Sequence, residues 1–258
     1  MIEWESFGGP FENGKPVLHR DRSVMMLQFG PDSVQSQMDV SDPFRLMLGY
    51  TRTLMGFLLF VPAPCTITMI GLGGGSLPKF CYHRLPIARI DVVEISAEVI
   101  ALRDAFLIPA DNARFQVHCA DGAKFVASRE GSEDVIIVDG FDASGQAPAL
   151  CTESFYADCF RALSVGGVMA VNLSENSKQH ATFIQRIQRI FGGQVLVVKS
   201  EDCSNKIVFA VKEPATAQRG FCHQTLLTRA LALDKQYPVS FRQLLERAAL
   251  NRLNPLHR

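Results

Sequence analysis

Three carboxylates and a glycine cluster stand just behind runs of apolar, largely β-branched residues. Gly71-Leu72-Gly73-Gly74-Gly75-Ser76 follows Ile67–Ile70, Glu94 ends Ile90–Val93, Asp121-Gly122 lies just past Phe115–His118, and Asp139-Gly140-Phe141-Asp142 follows Val135–Val138. A turn this rich in glycine lets a ligand approach the backbone and can aim free N–H groups at it from the next helix; strand–helix packing also uses glycine. Glu94 lies 23 residues beyond Gly71, where an acid can accept hydrogen bonds from both hydroxyls of a ribose. Asp121 could receive an adenine amino group, with the neighbouring Gly122 backbone reading the ring edge, or could cap a helix. The turn lacks the third glycine of G-x-G-x-x-G, because Ser76 holds that place, so a single nucleoside-bearing cofactor fits better than a dinucleotide. Asp139 and Asp142 bring two carboxylates to one cleft mouth, where one could take a proton from an amine or hold an ammonium; capping a turn is the ordinary alternative.

These residues matter together only if one sheet aligns them. The five runs, the last being Val168–Val171, are separated by helical stretches, a pattern that predicts a parallel sheet covered on both faces. In such a sheet ligands bind beyond the carboxyl ends of the strands. Val195–Val198 and Ile207–Val211, joined by a short polar link, read as an antiparallel pair at the sheet edge. Upstream, Val17–Met38 reads as short strands. Asp42-Pro43 reads as the start of a helix whose apolar stripe runs from Phe44 to Leu58, and two more helices are expected near 221–234 and 240–251. The expected fold class is α/β: a Rossmann-like, doubly wound, mostly parallel sheet with antiparallel edge strands. A small β appendage (1–42) precedes the main domain (43–258).

Composition narrows the function. The 258 residues carry 26 Lys+Arg against 26 Asp+Glu, so no net charge draws the chain to nucleic acid or an anionic membrane. The longest apolar stretch, Gly56–Val61, is far below the ~20 residues that span a bilayer. The start Met1-Ile2-Glu3-Trp4-Glu5 lacks a secretory pattern, which gives a cytoplasmic expectation. Seven cysteines without a C-x₂₋₄-C pair, and six scattered histidines, suggest neither disulfides nor a metal site, and most of the cysteines are expected to be buried.

The ordered set resembles the spermidine synthase or polyamine aminopropyltransferase family. It comprises Val34-Gln35-Ser36, Tyr50, the glycine turn, Val93-Glu94-Ile95, Ala120–Phe125, Asp134–Asp142, Glu153–Tyr156 and Arg161–Gly167. The resemblance implies that Glu94 holds the ribose of decarboxylated AdoMet, which enters as co-substrate, and that Asp121 and Gly122 meet the adenine above Gly71, Gly73 and Gly75. It implies that Asp139 accepts the proton of the attacking amine with Asp142 nearby, that Gln35 and Tyr50 line the pocket, and that the enzyme is a homodimer working without metal on a small-molecule amine.

Three departures fall where that family makes its specificity. Gly74 stands where the family's turn carries an acid, Arg52 replaces the glutamate of Y-x-E, and the tyrosine-bearing stretch is not recognisable in Lys199–Asn205. Two alternatives therefore stand beside aminopropyl transfer. One is a methyltransferase using intact AdoMet, with Arg52 or Lys79 receiving the cofactor's carboxylate. The other is a degenerate, non-catalytic nucleoside-binding homologue.

Overall fold

The computed structural model describes residues 5–7, 15–30, 33–142, 145–174, 179–213 and 221–253. Four antiparallel strands paired in chain order come first: β1 (Glu5–Phe7), β2 (Val17–Arg20), β3 (Val24–Gly30) and β4 (Ser33–Asp39). The Asp21 carboxylate closes the β2–β3 turn by accepting the N–H groups of Ser23 and Val24, each at 2.6 Å. Met25, Leu27 and Met38 turn inward and join the core that also holds Leu54 and Phe57, so this small sheet is packed against the main body.

The helix expected from Phe44 begins only at Gly49. Helix α1 (Gly49–Leu54) runs into a 3-10 turn at Met55–Leu59. The missing first turns have a physical cause. The Asp42 carbonyl closes a local turn through the Arg45 N–H, and the Arg52 guanidinium donates to the carbonyls of Leu46 and Met47 at 2.8 and 2.9 Å, standing in for the N–H groups of a first helical turn. The Asp202 carboxylate, 153 residues away, accepts the Gly49 N–H at 2.6 Å and caps α1 from outside.

The main sheet is built from β5 (Thr66–Ile70), β6 (Arg89–Glu94), β7 (Phe115–Cys119), β8 (Glu133–Val138), a long strand at Leu163–Leu173, and a terminal hairpin of Val195–Lys199 and Lys206–Val211. With the short pair β9 (Phe141–Asp142) and β10 (Gly145–Gln146) counted, these last three are β11, β12 and β13. Their spatial order is β12-β13-β11-β8-β5-β6-β7; the five strands from β11 to β7 are parallel, and β12 and β13 are antiparallel at the edge, as the sequence suggested. Helices α2 (Ser76–Arg84), α3 (Ala97–Ile100), α4 (Gly122–Ala127), α5 (Glu153–Ala162), α6 (His180–Ile190), α7 (His223–Leu233) and α8 (Phe241–Leu253) complete the elements of the described residues.

Alternation along β8 shows why its apolar run is unbroken. Val135 and Ile137 enter one core with Leu54, Phe57 and Phe80, while Ile136 and Val138 enter the other with Phe155, Cys159 and Phe183. Both faces are covered, so every residue of the run is buried. The cysteines are all free, but only Cys81, Cys151 and Cys159 are buried; Cys65, Cys119, Cys203 and Cys222 are exposed, against the expectation, because they sit in loops or at element ends.

Candidate active site

A cavity of about 710 Å³ opens over the carboxyl ends of the parallel strands, a size suited to a nucleoside-bearing ligand. Each strand end contributes a wall. Gly71, Leu72 and Gly73 follow β5, Glu94 ends β6, Asp121 and Gly122 follow β7, Asp139 and Gly140 follow β8, and Asn172 closes β11. Gln35 from β4 and Tyr50 from α1 close the opposite side.

The glycine turn is shaped by its neighbours. Gly71 has φ +97°, and a Cβ there would overlap the Asp139 carbonyl oxygen; only glycine lets the ends of β5 and β8 meet. Its N–H donates to the Val93 carbonyl at 2.9 Å. Gly75 does not line the cavity: it precedes α2 and its open side faces Ile108. A Cβ at Gly74 would lie 2.7 Å from Ser36 Oγ and 2.8 Å from two carbons of the buried Phe106 ring, so the space an acidic side chain would need is already filled.

Glu94 is held at both oxygens, Oε2 accepting the Leu72 N–H and Oε1 the Ser96 N–H, each at 2.9 Å. The carboxylate is thereby oriented toward the turn, and each oxygen keeps a lone pair that can accept a further hydrogen bond. Asp121 takes the capping role the sequence allowed and keeps a place on the cavity wall. Its Oδ1 caps α4 by accepting the N–H groups of Ala123 and Lys124 at 2.8 and 3.2 Å, while the residue also faces the cavity.

Asp139 is a buried carboxylate at the centre of the site. Burial raises its carboxyl from the ordinary value to about 6, against the opposing pull of hydrogen bonds from Asn172 and Tyr50. Asn172 Nδ2 donates to Asp139 Oδ1 at 2.8 Å, and Asn172 is itself oriented by Asn205, which donates to its Oδ1 at 3.0 Å. The Tyr50 hydroxyl lies 3.2 Å from the Gln35 carbonyl and beside the Asp139 carboxylate, so its one proton serves either acceptor in turn, and burial with Asp139 close by holds the phenol well above its usual range. Asp142 lies in β9 beside the site, and its side chain falls outside the described residues.

Two cations named for the alternative reading point elsewhere. Lys79 is fully buried, its Nζ bonded to the Phe106 carbonyl at 2.7 Å and beside the Met38 sulfur at 3.0 Å; burial without an acidic partner brings it down to about 8. Arg52 pairs with Glu201 at 2.7 Å. Neither lines the cavity, and among the described residues no Lys or Arg does, whereas Glu94, Asp121, Asp139 and Asp202 all do. The methyltransferase reading loses the contacts proposed for it because both side chains are spent on structural bonds.

Asn172, Asn205 and Asp202 were not singled out from the sequence. Asn172 carried a usable signal, since it follows Val168–Val171 as the acids follow their strands. Asp202 and Asn205 lie in Lys199–Asn205, the stretch the resemblance assigns to specificity, but nothing in it marks these two side chains, which reach the cavity from the antiparallel hairpin.

The strand order, the glycine turn and an acid ending the next strand together define a Rossmann-like transferase fold with its ligand site at the strand tips. Solved structures agree on that fold: a probable spermidine synthase from Corynebacterium glutamicum superimposes with TM-score 0.70 at 19% identity over 94% of this chain and 95% of the other. Spermidine synthase in complex with the transition-state analogue AdoDATO gives 0.68 at 19% over 96% and 86%. In sequence, residues 47–201 match the spermine/spermidine synthase domain. The polyamine aminopropyltransferase of Chromobacterium violaceum is 37% identical over 89% of this chain and 87% of its own, and that of Neisseria meningitidis serogroup A is 36% identical over 95% and 93%. The chain belongs to the spermine/spermidine synthase family.

Proposed function

We propose that the protein transfers the aminopropyl group of decarboxylated AdoMet to a small amine. The observation that carries this reading is the charge of the cavity, four carboxylates and no Lys or Arg among the described lining residues. A sulfonium with an ammonium tail suits that wall. The carboxylate of intact AdoMet would meet no cation there and would be costly to desolvate. The relatives named as polyamine aminopropyltransferases support the same reading.

Glu94 would hold the ribose and Asp121 the adenine, leaving the sulfonium carbon over the Gly71–Gly73 backbone toward Asp139. The amine nitrogen uses its lone pair to form a new bond to that carbon as the carbon–sulfur bond breaks. The bonding pair leaves on sulfur, giving neutral methylthioadenosine. Asp139 takes the proton the amine must shed, a task its raised pKa suits because the carboxyl is ionised at neutral pH yet more basic than a solvated aspartate. Asn172 fixes the carboxylate and Tyr50 closes the wall, so the protein's contribution is alignment, proton removal and exclusion of water. Cytoplasmic action on a free amine, without metal, nucleic acid or membrane, and as a homodimer, belongs to the same proposal. Among the described residues no helix is long and apolar enough to cross a membrane.

Calorimetric titration with decarboxylated AdoMet, intact AdoMet and methylthioadenosine tests the cofactor, and light scattering tests the dimer. Preference for the decarboxylated form and for methylthioadenosine is expected. Tighter binding of intact AdoMet, or transfer undiminished in D139N, would overturn the reading.

A further inference from the structure

Asn172 is buried, so its amide is satisfied by protein groups. Nδ2 donates to Asp139 Oδ1 at 2.8 Å, and Oδ1 accepts from Asn205 Nδ2 at 3.0 Å. This short row can run in one direction only. An ionised carboxylate accepts and never donates, so the amide beside it must offer its NH2 group and turn its oxygen toward a donor. Asn205 supplies that donor from the loop between β12 and β13. Its place is fixed from both sides. Its carbonyl accepts the Ser200 N–H at 2.8 Å, closing the loop, and the next residue, Lys206, is in register with Lys199 of β12 and Leu173 of β11. The Asn172 carbonyl is held separately, by Gln146 Nε2 at 2.6 Å, so the backbone is anchored and the side-chain amide takes its direction from Asn205.

Among the described residues, the side-chain hydrogen bonds that bear on the Asp139 carboxylate come from Asn172 and Tyr50, and Tyr50 has a second acceptor in the Gln35 carbonyl. The other titratable groups on the cavity are Glu94 from β6, Asp121 ahead of α4, and Asp202 and Cys203 from the hairpin loop. No Lys or Arg among the described lining residues helps to hold a negative charge there, so the orientation of one amide carries unusual weight. Resting on the aminopropyl-transfer reading, we infer that Asn205 is a positioning residue for the reaction: through Asn172 it keeps the Asp139 carboxylate unprotonated and ready to receive the proton of the attacking amine. The edge hairpin and the base then work as one unit, because a shift of the loop withdraws the donor that holds the amide.

The pH profile of kcat/KM is measured with decarboxylated AdoMet and the best acceptor from a panel of short aliphatic amines, in wild type, N205D, N172L and N205D/N172L. A carboxylate at 205 matches the amide in size but only accepts. Asp139 already titrates near 6, so a new carboxylate of ordinary pKa ionises first and draws the Asn172 NH2 group to itself, turning the amide oxygen on Asp139. The acid limb should rise by about one to two pH units in N205D, the loss of one hydrogen bond to a charged group. In the N172L background the same substitution should move it little further, because the connecting amide is gone. N205L, which removes the donor without adding charge, should raise the limb by less than N205D. A limb unmoved in N205D, or moved equally with and without Asn172, overturns the role of Asn205 while transfer itself stands. Should N205D fail to bind methylthioadenosine, N205L carries the test, and an unmoved limb there overturns the inference. If no amine is turned over, the aminopropyl reading falls. The role of Asn205 is then decided by NMR titration of labelled aspartate carboxyls, with D139N assigning the signal: an Asp139 midpoint unchanged in N205D overturns it.

Discussion

Alanine in place of Gly74 should destabilise the protein, although alanine is ordinarily the safer residue in an ordered segment. The backbone at 74 is not left-handed, so conformational strain is not the cause. The cause is volume: the added carbon would sit 2.7 Å from Ser36 Oγ and 2.8 Å from Cδ1 and Cε1 of Phe106. The serine hydroxyl can rotate away. Phe106 cannot, because it is wholly buried among core side chains and its backbone carbonyl holds Lys79. Overpacking of this kind costs about 1–3 kcal/mol. For a chain of this size that lowers the thermal midpoint by roughly 2–12 °C. Differential scanning calorimetry of G74A, F106L and the double variant supplies the cycle: leucine should relieve part of the clash, so the double variant should lose less than the two singles summed. Additive losses, or an unchanged midpoint in G74A, would show that the turn has room for a side chain. The absence of an acid there would then need a reason other than packing.

The transfer rate should rise with pH through about 6, where Asp139 ionises, falling tenfold per unit below it. N172L removes a donor that favours the ionised form and should move that limb to higher pH, as a pH profile of kcat/KM would show. Because the folded-state pKa of Asp139 is raised, its contribution to stability is complete below about 3.8 and lost as pH rises through about 6. D139N should therefore melt above wild type at pH 8 and alongside it near pH 3.5. Lys79 has the opposite sign: its contribution is complete above 10.5 and lost as pH falls through about 8. K79M should unfold at equal or higher urea than wild type at pH 7, with the gap narrowing toward pH 10.

Much of the frame was readable because it repeats one rule. The β8 run is buried on both faces and so is uniformly apolar, and the acids of the site sit where such runs stop; Glu94, Asp121 and Asp139 were visible for that reason. Asn172 obeys the same rule but is neutral, and a search for charge passes over it. The helix at 44–58 was misjudged because its apolar spacing is helical, while the bonds that shorten it come from Arg52 within the segment and Asp202 far outside it. Asp202 and Asn205 act through contacts that span the chain; the resemblance pointed to their stretch, Lys199–Asn205, but no local pattern picks out the two residues.

Arg52 shows that the departures from the family pattern belong to one arrangement. An arginine beside the pocket tyrosine reads in isolation as a lost acid. In the fold its Nε meets Glu201 at 2.7 Å, Glu201 lies 3.6 Å from Arg247 of α8, and Arg247 Nε donates to the Lys199 carbonyl at 3.1 Å. This alternating row ties α1 and α8 to the hairpin that carries Asp202. Restoring glutamate in R52E would place a carboxylate among Glu201 and Asp202 and strip the carbonyls of Leu46 and Met47 of their donor. These charges are partly exposed, so a loss of about 1–3 kcal/mol is expected. If the ion pair itself is responsible, E201R should recover part of that loss in the double variant, read from urea midpoints. A double variant no better than the sum of its singles would mean that the carbonyl bonds, and not the row of charges, hold the hairpin against α1.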